Sequence, residues 1–346
     1  MHFARTEEQD ELAAVVRDLL GKRSSSEAVR AAMASDLGYD QDLWRGMCEQ
    51  VGVAALPVPE EYDGFGASLV ESAIVLEEVG RNLAPSPMLA TSIATSVVLV
   101  AADKMSRHDL LPDICGGQSA TVAIDGPSRR SQSDLLRDHL VLDPGASVLL
   151  RVDGDVLQRI DEPDVQSVGS VDQTIRMGTV AGEGTRIGTV RDRQAVLDLA
   201  WALTSAVQVG TAQRGLEMTV AYSLEREQFG RPIGSFQALK HRMADMLVRV
   251  EAARSASWGA TTAAAAYVQA PEDAAAGALR RYASVARSYC SEALDHVASE
   301  TVQLHGGIAI TWEHDAQLVF KRAHVLSQLW APAHAARSGI LALPRT

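Results

Sequence analysis

The residues best suited to bind a ligand lie in one short stretch, from Glu225 to Asp245. Arg226 contributes a permanent positive charge, while Phe229, Phe236 and Gln237 contribute two aromatic rings and an amide. A guanidinium pairs with phosphate and aromatic rings pack against a heterocycle, so this set suits a planar, anionic ligand. The alternative is an ordinary polar turn, in which Arg226 makes only a surface ion pair.

Elements on both sides must position this stretch, and the sequence predicts that they are helices. Gly230, Pro232 and Gly234 interrupt the helical pattern between them. We predict four long C-terminal helices, and their expected ranges are about 190–226, 236–269, 273–302 and 313–340. The break between the last two falls at Gly306–Gly307. Four successive helices with short links indicate an antiparallel bundle.

The earlier parts of the chain differ in character. Residues 6 to 100 have helical periodicity, and Thr6 followed by Gln9 predicts a capping box. Short β-rich runs separated by Gly, Pro and Asp then follow, at Ala120–Ile124, His139–Leu142, Ser147–Val152 and Met177–Val180. The predicted fold is therefore mainly α with a central β-domain. Its expected domains are an N-terminal helical domain (1–117), a middle β-domain (118–189) and a C-terminal helical bundle (190–346).

Particular acidic residues carry further expectations. Glu77 and Glu78 lie near the end of a predicted helix, where acids oppose the helix dipole, so we expect each to have a partner. Thr311 is predicted to cap the last helix and to place Glu313 and Asp315 in its first turn.

Composition excludes several classes of function. The 346 residues carry a net charge of −12, which gives no electrostatic support for nucleic-acid binding. No run of 18 apolar residues predicts a transmembrane helix, and the N-terminus lacks a hydrophobic signal core. Cys48, Cys115 and Cys290 stand far apart and have no metal-binding spacing. A reducing cytoplasm is the simplest compartment for such a chain.

Four segments resemble the acyl-CoA dehydrogenases, the FAD-dependent flavoenzymes of β-oxidation. They are Val58–Gly66, Val209–Glu217, Arg226–Gln237 followed by Met243–Met246, and Gln303–Thr311. The segments lie in the family's order and spacing, and they cover most of the chain except the middle. The resemblance implies α,β-dehydrogenation of an acyl-CoA thioester by a fold with an N-terminal helical domain, a β-domain and a four-helix bundle.

The resemblance also implies a FAD that is shared between protomers. Arg226 would pair with the pyrophosphate, and Phe229 and Gln237 would lie at the adenosine end. Gln303 and the Gly306–Gly307 pair would approach the diphosphate through amide and backbone contacts. The alternative for the two glycines is a simple break at a helix C-terminus.

The positions of the family's catalytic base depart from its pattern. Dehydrogenation needs a positioned carboxylate to remove the α-proton. In most relatives it is a glutamate in the loop that corresponds to Trp330 and Ala331, where this chain has no acid. In other relatives it lies on the first bundle helix, at about Ala200 or Val207, and neither is an acid. Asp198 is the nearest carboxylate, but it points roughly 200° away around the helix and is a weak candidate.

The middle of the chain departs from the family's pattern as well. The family's flavin-ring motif is absent between residues 118 and 150, where Asp125–Ser128 lacks its hydroxyl and acid pattern. We therefore expect a chain that covers a neighbour's FAD without holding the flavin ring itself. This resembles the short subunits of actinobacterial heterotetrameric acyl-CoA dehydrogenases that act on steroid side-chain CoA thioesters.

That resemblance implies a longer acyl-CoA dehydrogenase subunit as partner, and the family implies electron-transfer flavoprotein as electron acceptor. Two other interpretations stay open. One is a self-sufficient homomeric dehydrogenase with a displaced base, and the other is a non-enzymatic acyl-CoA-binding scaffold of the same fold.

Overall fold

The computed structural model describes residues 4–124 and 139–341, so Asp125–Ser128 lies outside the described residues. The helices are α1 (Glu7–Arg23), α2 (Ser26–Ala34), α3 (Gln41–Gly46), α4 (Leu69–Arg81), α5 (Met88–Ala101), α6 (Lys104–Cys115), α7 (Arg193–Glu225), α8 (Gln237–Gln269), α9 (Asp273–His305), α10 (Ala316–Gln328) and α11 (Ala333–Leu341). The strands are β1 (Ala120–Ile124), β2 (His139–Leu142), β3 (Val148–Asp153), β4 (Val156–Ile160), β5 (Asp164–Val168), β6 (Met177–Ala181), β7 (Gly184–Thr189), β8 (Glu227–Gln228) and β9 (Arg231–Pro232). The predicted mainly α fold with a central β region is confirmed.

The N-terminal helices begin as the sequence predicts. The Gln9 backbone N–H donates to Thr6 Oγ1 at 3.3 Å, and the Thr6 N–H donates to Gln9 Oε1 at 3.0 Å. These two bonds form the expected capping box of α1, which satisfies N–H groups that have no partner within the helix.

The β region forms two small sheets. One has the order β1-β3-β4-β7 and the other β2-β6-β5. The β1–β3 pair is parallel, and the remaining pairs in these two sheets are antiparallel. Strands β4, β5 and β7 were not predicted. The residues of β5 are largely polar and exposed, so they lack the apolar alternation that identifies a half-buried strand.

Helix α7 is the central helix of the bundle. It packs against α4, α8, α9 and α10, and most of its residues are buried. Most of its buried hydroxyl groups donate to its own preceding carbonyls, as in Ser205 to Ala202 O (2.6 Å) and Thr211 to Val207 O (2.8 Å). Among the described helices, α7 alone is long and apolar enough to cross a membrane, but its most apolar stretch is wholly buried, as in a core helix.

The predicted last helix, 313–340, is wrong in two respects. It is divided into α10 and α11, because Pro332 has no N–H to donate and disfavours helical conformation at the residue before it. It also begins three residues late, at Ala316. Thr311 instead ends a 3-10 turn, and Asp315 occupies the N-cap position without a side-chain capping bond.

Helices α4 and α7 touch through their backbones. A Cβ atom at Gly80 would overlap the carbonyl oxygen of Val207, and one at Gly210 would overlap the carbonyl oxygen of Glu77. One glycine on each helix therefore allows the two backbones to approach more closely than any larger residue would permit.

The expected partners of the acidic pair at the end of α4 are confirmed. Glu77 pairs with Arg5 at 2.8 Å and with Arg254 of α8, while Glu78 pairs with Arg17 of α1 at 2.6 Å. These ion pairs join the N-terminal helices to the bundle beside the α4–α7 contact.

Replacing Gly210 with Ala should lower the free energy of unfolding by about 2–4 kcal/mol, because the new methyl group overpacks a backbone contact. Urea denaturation measures the change. Gly277→Ala in α9 is the matched control: nothing lies within 4 Å of its added Cβ, so it should stabilise the chain by about 0.5–1 kcal/mol. Equal effects of the two substitutions would refute the close α4–α7 contact.

Candidate functional site

The stretch after α7 folds into a tight β-hairpin. Arg226 is the C-cap of α7, and Gln228 pairs with Arg231 across a two-residue turn. The turn residues Phe229 and Gly230 have φ of 55° and 76°, values typical of a type I′ turn. Phe229 is 92% exposed. A bulky residue at positive φ is strained, and its aromatic ring at the tip has almost no cover from the described chain.

The backbone of Arg226 is fixed, but its side chain has no partner among the described residues. Its N–H donates to Tyr222 O at 2.9 Å, and its carbonyl accepts from the Ile233 N–H at 2.8 Å. The guanidinium is exposed. A positioned arginine without a carboxylate partner is well suited to an anionic ligand.

Two further features of the hairpin favour a planar, anionic ligand. The Phe229 and Phe236 rings lie edge to face with centroids 6.1 Å apart, and Arg231 lies over Phe236 at 4.0 Å. Gln237 is exposed at the start of α8 and lies 2.9 Å from a ring nitrogen of His241. Phe236 is the N-cap and makes no side-chain capping bond, so the first N–H groups of α8 remain available to an anion.

The end of α9 offers an open backbone. Gly306 has φ 66°, and nothing lies within 4 Å of a Cβ built at Gly306 or Gly307. Gln303 is exposed on the last turn of α9. A ligand could therefore approach these backbone groups closely, as the predicted cofactor role requires.

A stack of aromatic rings joins the two segments. Tyr222 of α7 stacks on His305 with centroids 4.5 Å apart, and His305 lies 4.7 Å from His314. Burial lowers the pKa of His305, so its ring is neutral at pH 7, and Nδ1 donates to Thr301 O at 2.7 Å. Tyr222 lies one helical turn before Arg226, and His305 lies directly before Gly306. The stack therefore places the candidate cofactor residues at one end of the bundle.

The predicted base positions lie elsewhere. Val207 lines a cavity of about 40 Å³ between α4, α7 and the β region. Its apolar lining includes Val79, Ala84, Pro87, Leu89, Ala90, Leu142 and Ile175. The volume suffices for about three water molecules. Ala200 is fully buried and does not line the cavity.

Asp143 lines the same cavity and was missed by sequence reasoning. It is only 8% exposed, and its Oδ2 has no hydrogen-bond partner in the described part of the chain. Burial raises its pKa to about 6. In the sequence, Asp143 stands in an Asp-Pro-Gly run that is typical of a turn, so no local signal indicated burial.

The cavity has a second polar side, formed by a buried network. Arg322 of α10 donates to Thr174 Oγ1 at 2.9 Å and to Leu83 O at 3.2 Å, and it lies 3.6 Å from Asp172 Oδ2. These bonds connect the bundle to the β region and to the segment after α4.

Asp198, the weak base candidate, lies in a different environment. It is fully buried, accepts from Gln194 at 3.0 Å and lies 3.4 Å from Arg280 of α9. Burial raises its pKa to about 6. Asp198 precedes Val207 by nine positions, or roughly 13 Å along α7, and does not line the cavity. The structure therefore does not bring these two residues together.

The loop that carries the base in other relatives is held by an arginine. Arg287 of α9 is fully buried and donates to the carbonyls of Leu326 (2.6 Å), Ser327 (2.8 Å), Leu329 (2.7 Å) and Ala331 (3.0 Å). Trp330 adopts φ 67° within this loop. Hydrogen bonds from the Arg287 side chain to its carbonyls thus hold the loop, and none of its residues carries a carboxylate.

Asp143 should make stability depend on pH. Its folded pKa of about 6 lies above the ordinary 3.8, so the folded chain binds this proton more tightly than the unfolded chain does. This contribution is largest below about pH 4 and is lost as pH rises through about 6. Relative to wild type, Asp143→Asn should gain about 2–3 kcal/mol between pH 4 and pH 7.

Urea denaturation at both pH values measures this difference. Asp164→Asn on the exposed strand β5 is the control and should track wild type at both. If the stability difference between Asp143→Asn and wild type does not change with pH, the raised pKa of Asp143 is refuted.

Comparisons with known proteins identify the family of this chain. Residues 6–118 match the family model for the acyl-CoA dehydrogenase N-terminal domain, and residues 191–329 match that for the C-terminal domain. The chain is 43% identical over 327 residues to acyl-CoA dehydrogenase IpdE2 of Mycolicibacterium smegmatis, covering 94% of this chain and 96% of that protein.

Solved structures have the same fold. The Tcur3481-Tcur3483 steroid ACAD is 26% identical with a TM-score of 0.81, over 96% of both chains. The ChsE4-ChsE5 complex from Mycobacterium tuberculosis is 23% identical with a TM-score of 0.83, over 100% of both chains, and shows the fold alone. The chain therefore belongs to the acyl-CoA dehydrogenase family of oxidoreductases.

Proposed function

We propose that this chain is the cofactor-covering, base-lacking subunit of a heterotetrameric FAD-dependent acyl-CoA dehydrogenase. The observation that carries the proposal is the environment of Val207. This residue occupies a base position of the family, yet its apolar side chain lines a small, mainly apolar cavity and supplies no carboxylate. Ala200, Trp330 and Ala331 occupy the other base positions without a carboxylate.

The exposed end of the bundle fits the remaining part of FAD. The exposed guanidinium of Arg226 suits the pyrophosphate, and the exposed ring of Phe229 and the amide of Gln237 suit the adenosine. Gln303 and the open Gly306–Gly307 backbone suit the diphosphate. FAD supplies the hydride acceptor of the reaction when it is bound. In this proposal a longer partner subunit supplies the base and the flavin-ring contacts.

The names of two structural neighbours support a heteromeric assembly. Tcur3481-Tcur3483 and ChsE4-ChsE5 each name two components, and the first is called a steroid ACAD. A bulky, steroid-like acyl-CoA thioester is the substrate class that this analogy favours. Electron-transfer flavoprotein is the proposed electron acceptor, again by analogy with the family.

One observation favours a second candidate, a self-sufficient dehydrogenase with a displaced base. Asp143 places a buried carboxyl with an unpartnered oxygen in the same cavity as Val207. A base with a pKa raised toward neutrality is matched to proton abstraction near pH 7. Asp143 is therefore a better candidate for such a base than Asp198, which pairs with Arg280.

The visible spectrum of the purified chain tests the leading proposal. We expect no flavin absorbance from the chain alone and about one FAD per heterodimer after co-expression with a longer acyl-CoA dehydrogenase subunit. Stoichiometric FAD on the isolated chain, together with oxidation of an acyl-CoA, would refute the proposal.

Arg226→Ala refines this test. In the co-expressed complex it should weaken FAD binding by about tenfold or more, because a charge-assisted contact to phosphate is lost. The matched control is Arg186→Ala on β7, which removes an arginine from the β region and should leave FAD binding unchanged. A non-enzymatic scaffold would assemble normally with Arg226→Ala and show no change in any flavin.

Turnover of carboxylate variants separates the two candidate functions. For the base-lacking subunit, Asp143→Asn and Asp198→Asn should each leave turnover of the complex unchanged. For a self-sufficient enzyme, replacing the base should reduce turnover by about 10²–10⁴-fold while FAD stays bound. Steady-state kinetics with a saturating acyl-CoA distinguishes these outcomes.

A further inference from the structure

The segment that follows the Gly306–Gly307 turn is held by the N-terminal helix α2, far away in sequence. Arg30 Nη2 donates to the carbonyl of Trp312 at 2.8 Å, and Arg30 Nη1 donates to Asp315 Oδ1 at 2.6 Å. Ser26 Oγ donates to the same carboxylate oxygen at 2.7 Å. One helix of the N-terminal region therefore binds both a backbone and a side-chain group of this segment.

These contacts are stronger than an ordinary surface ion pair. The Arg30 and Asp315 side chains are only 19% and 12% exposed. Partial shielding from water strengthens a charge-assisted hydrogen bond, and the guanidinium binds two groups at once. Asp315 also lies 3.7 Å from Arg214 of α7, so the carboxylate joins α2 to the bundle.

Outside α2, the segment is held mainly by side-chain packing. Residues Gly306–Ile310 form a single 3-10 turn, a conformation with weak hydrogen-bond geometry. The Gly306–Gly307 backbone has open space around it, whereas Ala309 is fully buried and Lys321 lies 4.8 Å from the centre of the Trp312 ring. The contacts of Trp312 and Asp315 with α2 add a hydrogen-bonded attachment at the end far from the two glycines.

We propose that Arg30 is a positioning residue for the cofactor-covering surface. By binding Trp312 O and Asp315, it holds the Gly306–Gly307 backbone in the conformation that approaches the FAD diphosphate. Without this attachment the segment samples other conformations, and the apparent Kd rises in inverse proportion to the fraction of competent chains. This inference rests on the proposed function of the same surface.

Arg30→Gln in the co-expressed complex tests the proposal. The Kd for FAD should rise about tenfold, as expected when about a tenth of the chains keep the competent conformation. Turnover at saturating FAD should stay at the wild-type value, because Arg30 touches no reacting group. Arg30→Lys should give an intermediate Kd, since lysine keeps the charge but not the two-sided contact. An unchanged Kd for Arg30→Gln would overturn the proposal.

Arg45→Gln is the matched control. Arg45 of α3 pairs with Asp42 on its own helix at 3.1 Å, its one ion pair within the described residues, so its replacement should leave the Kd for FAD unchanged. If Arg30→Gln does not fold, as judged by its thermal midpoint, Ser26→Ala removes one bond of the same attachment more gently. That variant should raise the Kd for FAD by a smaller factor. An unchanged Kd would overturn the proposal.

Hydrogen exchange on the isolated chain gives a readout that needs no FAD. Amides in residues 306–315 should exchange faster in Arg30→Gln than in wild type, while those of α9 stay protected. If the amides of residues 306–315 exchange at the same rate in Arg30→Gln as in wild type, the proposal is overturned. This outcome does not depend on whether the complex binds flavin. If Arg226→Ala weakens FAD binding and Arg30→Gln does not, only the role of Arg30 fails. If neither variant weakens it, the proposed function fails as well.

Discussion

The direct backbone contact between α4 and α7 determines much of this structure. Gly80 and Gly210 remove the side chains that would separate the two helices. Because the helices touch, Val79 and Val207 line one small cavity, and the acidic end of α4 reaches arginines on α1 and α8. The same contact fixes the axis of α7, and the far end of that helix carries the exposed hairpin. One steric constraint thus packs the interior around Val207 and sets the direction of the helix that ends at the exposed hairpin.

This arrangement separates two properties that a self-sufficient flavoenzyme combines. The interior around Val207 is narrow and lacks an acid at the family's base positions, while Asp143 is its one unexpected carboxyl among the described lining residues. The exposed end has an open glycine backbone and Arg226, whose side chain has no partner in the part of the chain that the structure describes. The two regions lie at different places along α7, so the sequence of one can change without disturbing the packing of the other.

Much of the fold was predictable because its signals are local. The helical pattern around α7 and α8, the Gly306–Gly307 break and the Thr6 capping box depend only on neighbouring residues. The exposed strand β5 lacks apolar alternation, so pattern reasoning missed it. Candidate site residues follow the same rule: the residue types in the hairpin were enough to predict a ligand site there, whereas the burial of Asp143 depends on tertiary packing. The bond from Arg30 to Asp315 spans 285 positions, and no local pattern could indicate it.

The buried guanidinium of Arg287 has an evolutionary consequence. It forms no close ion pair within the described part of the chain and instead donates to the carbonyls of the loop around Trp330. A glutamate that arose by mutation in that loop would find this cation close by and would pair with it before it could face a substrate. Restoring a base there would require a second change, at Arg287, that by itself leaves several carbonyls without donors. Each single step is unfavourable, so this loop does not readily gain a carboxylate.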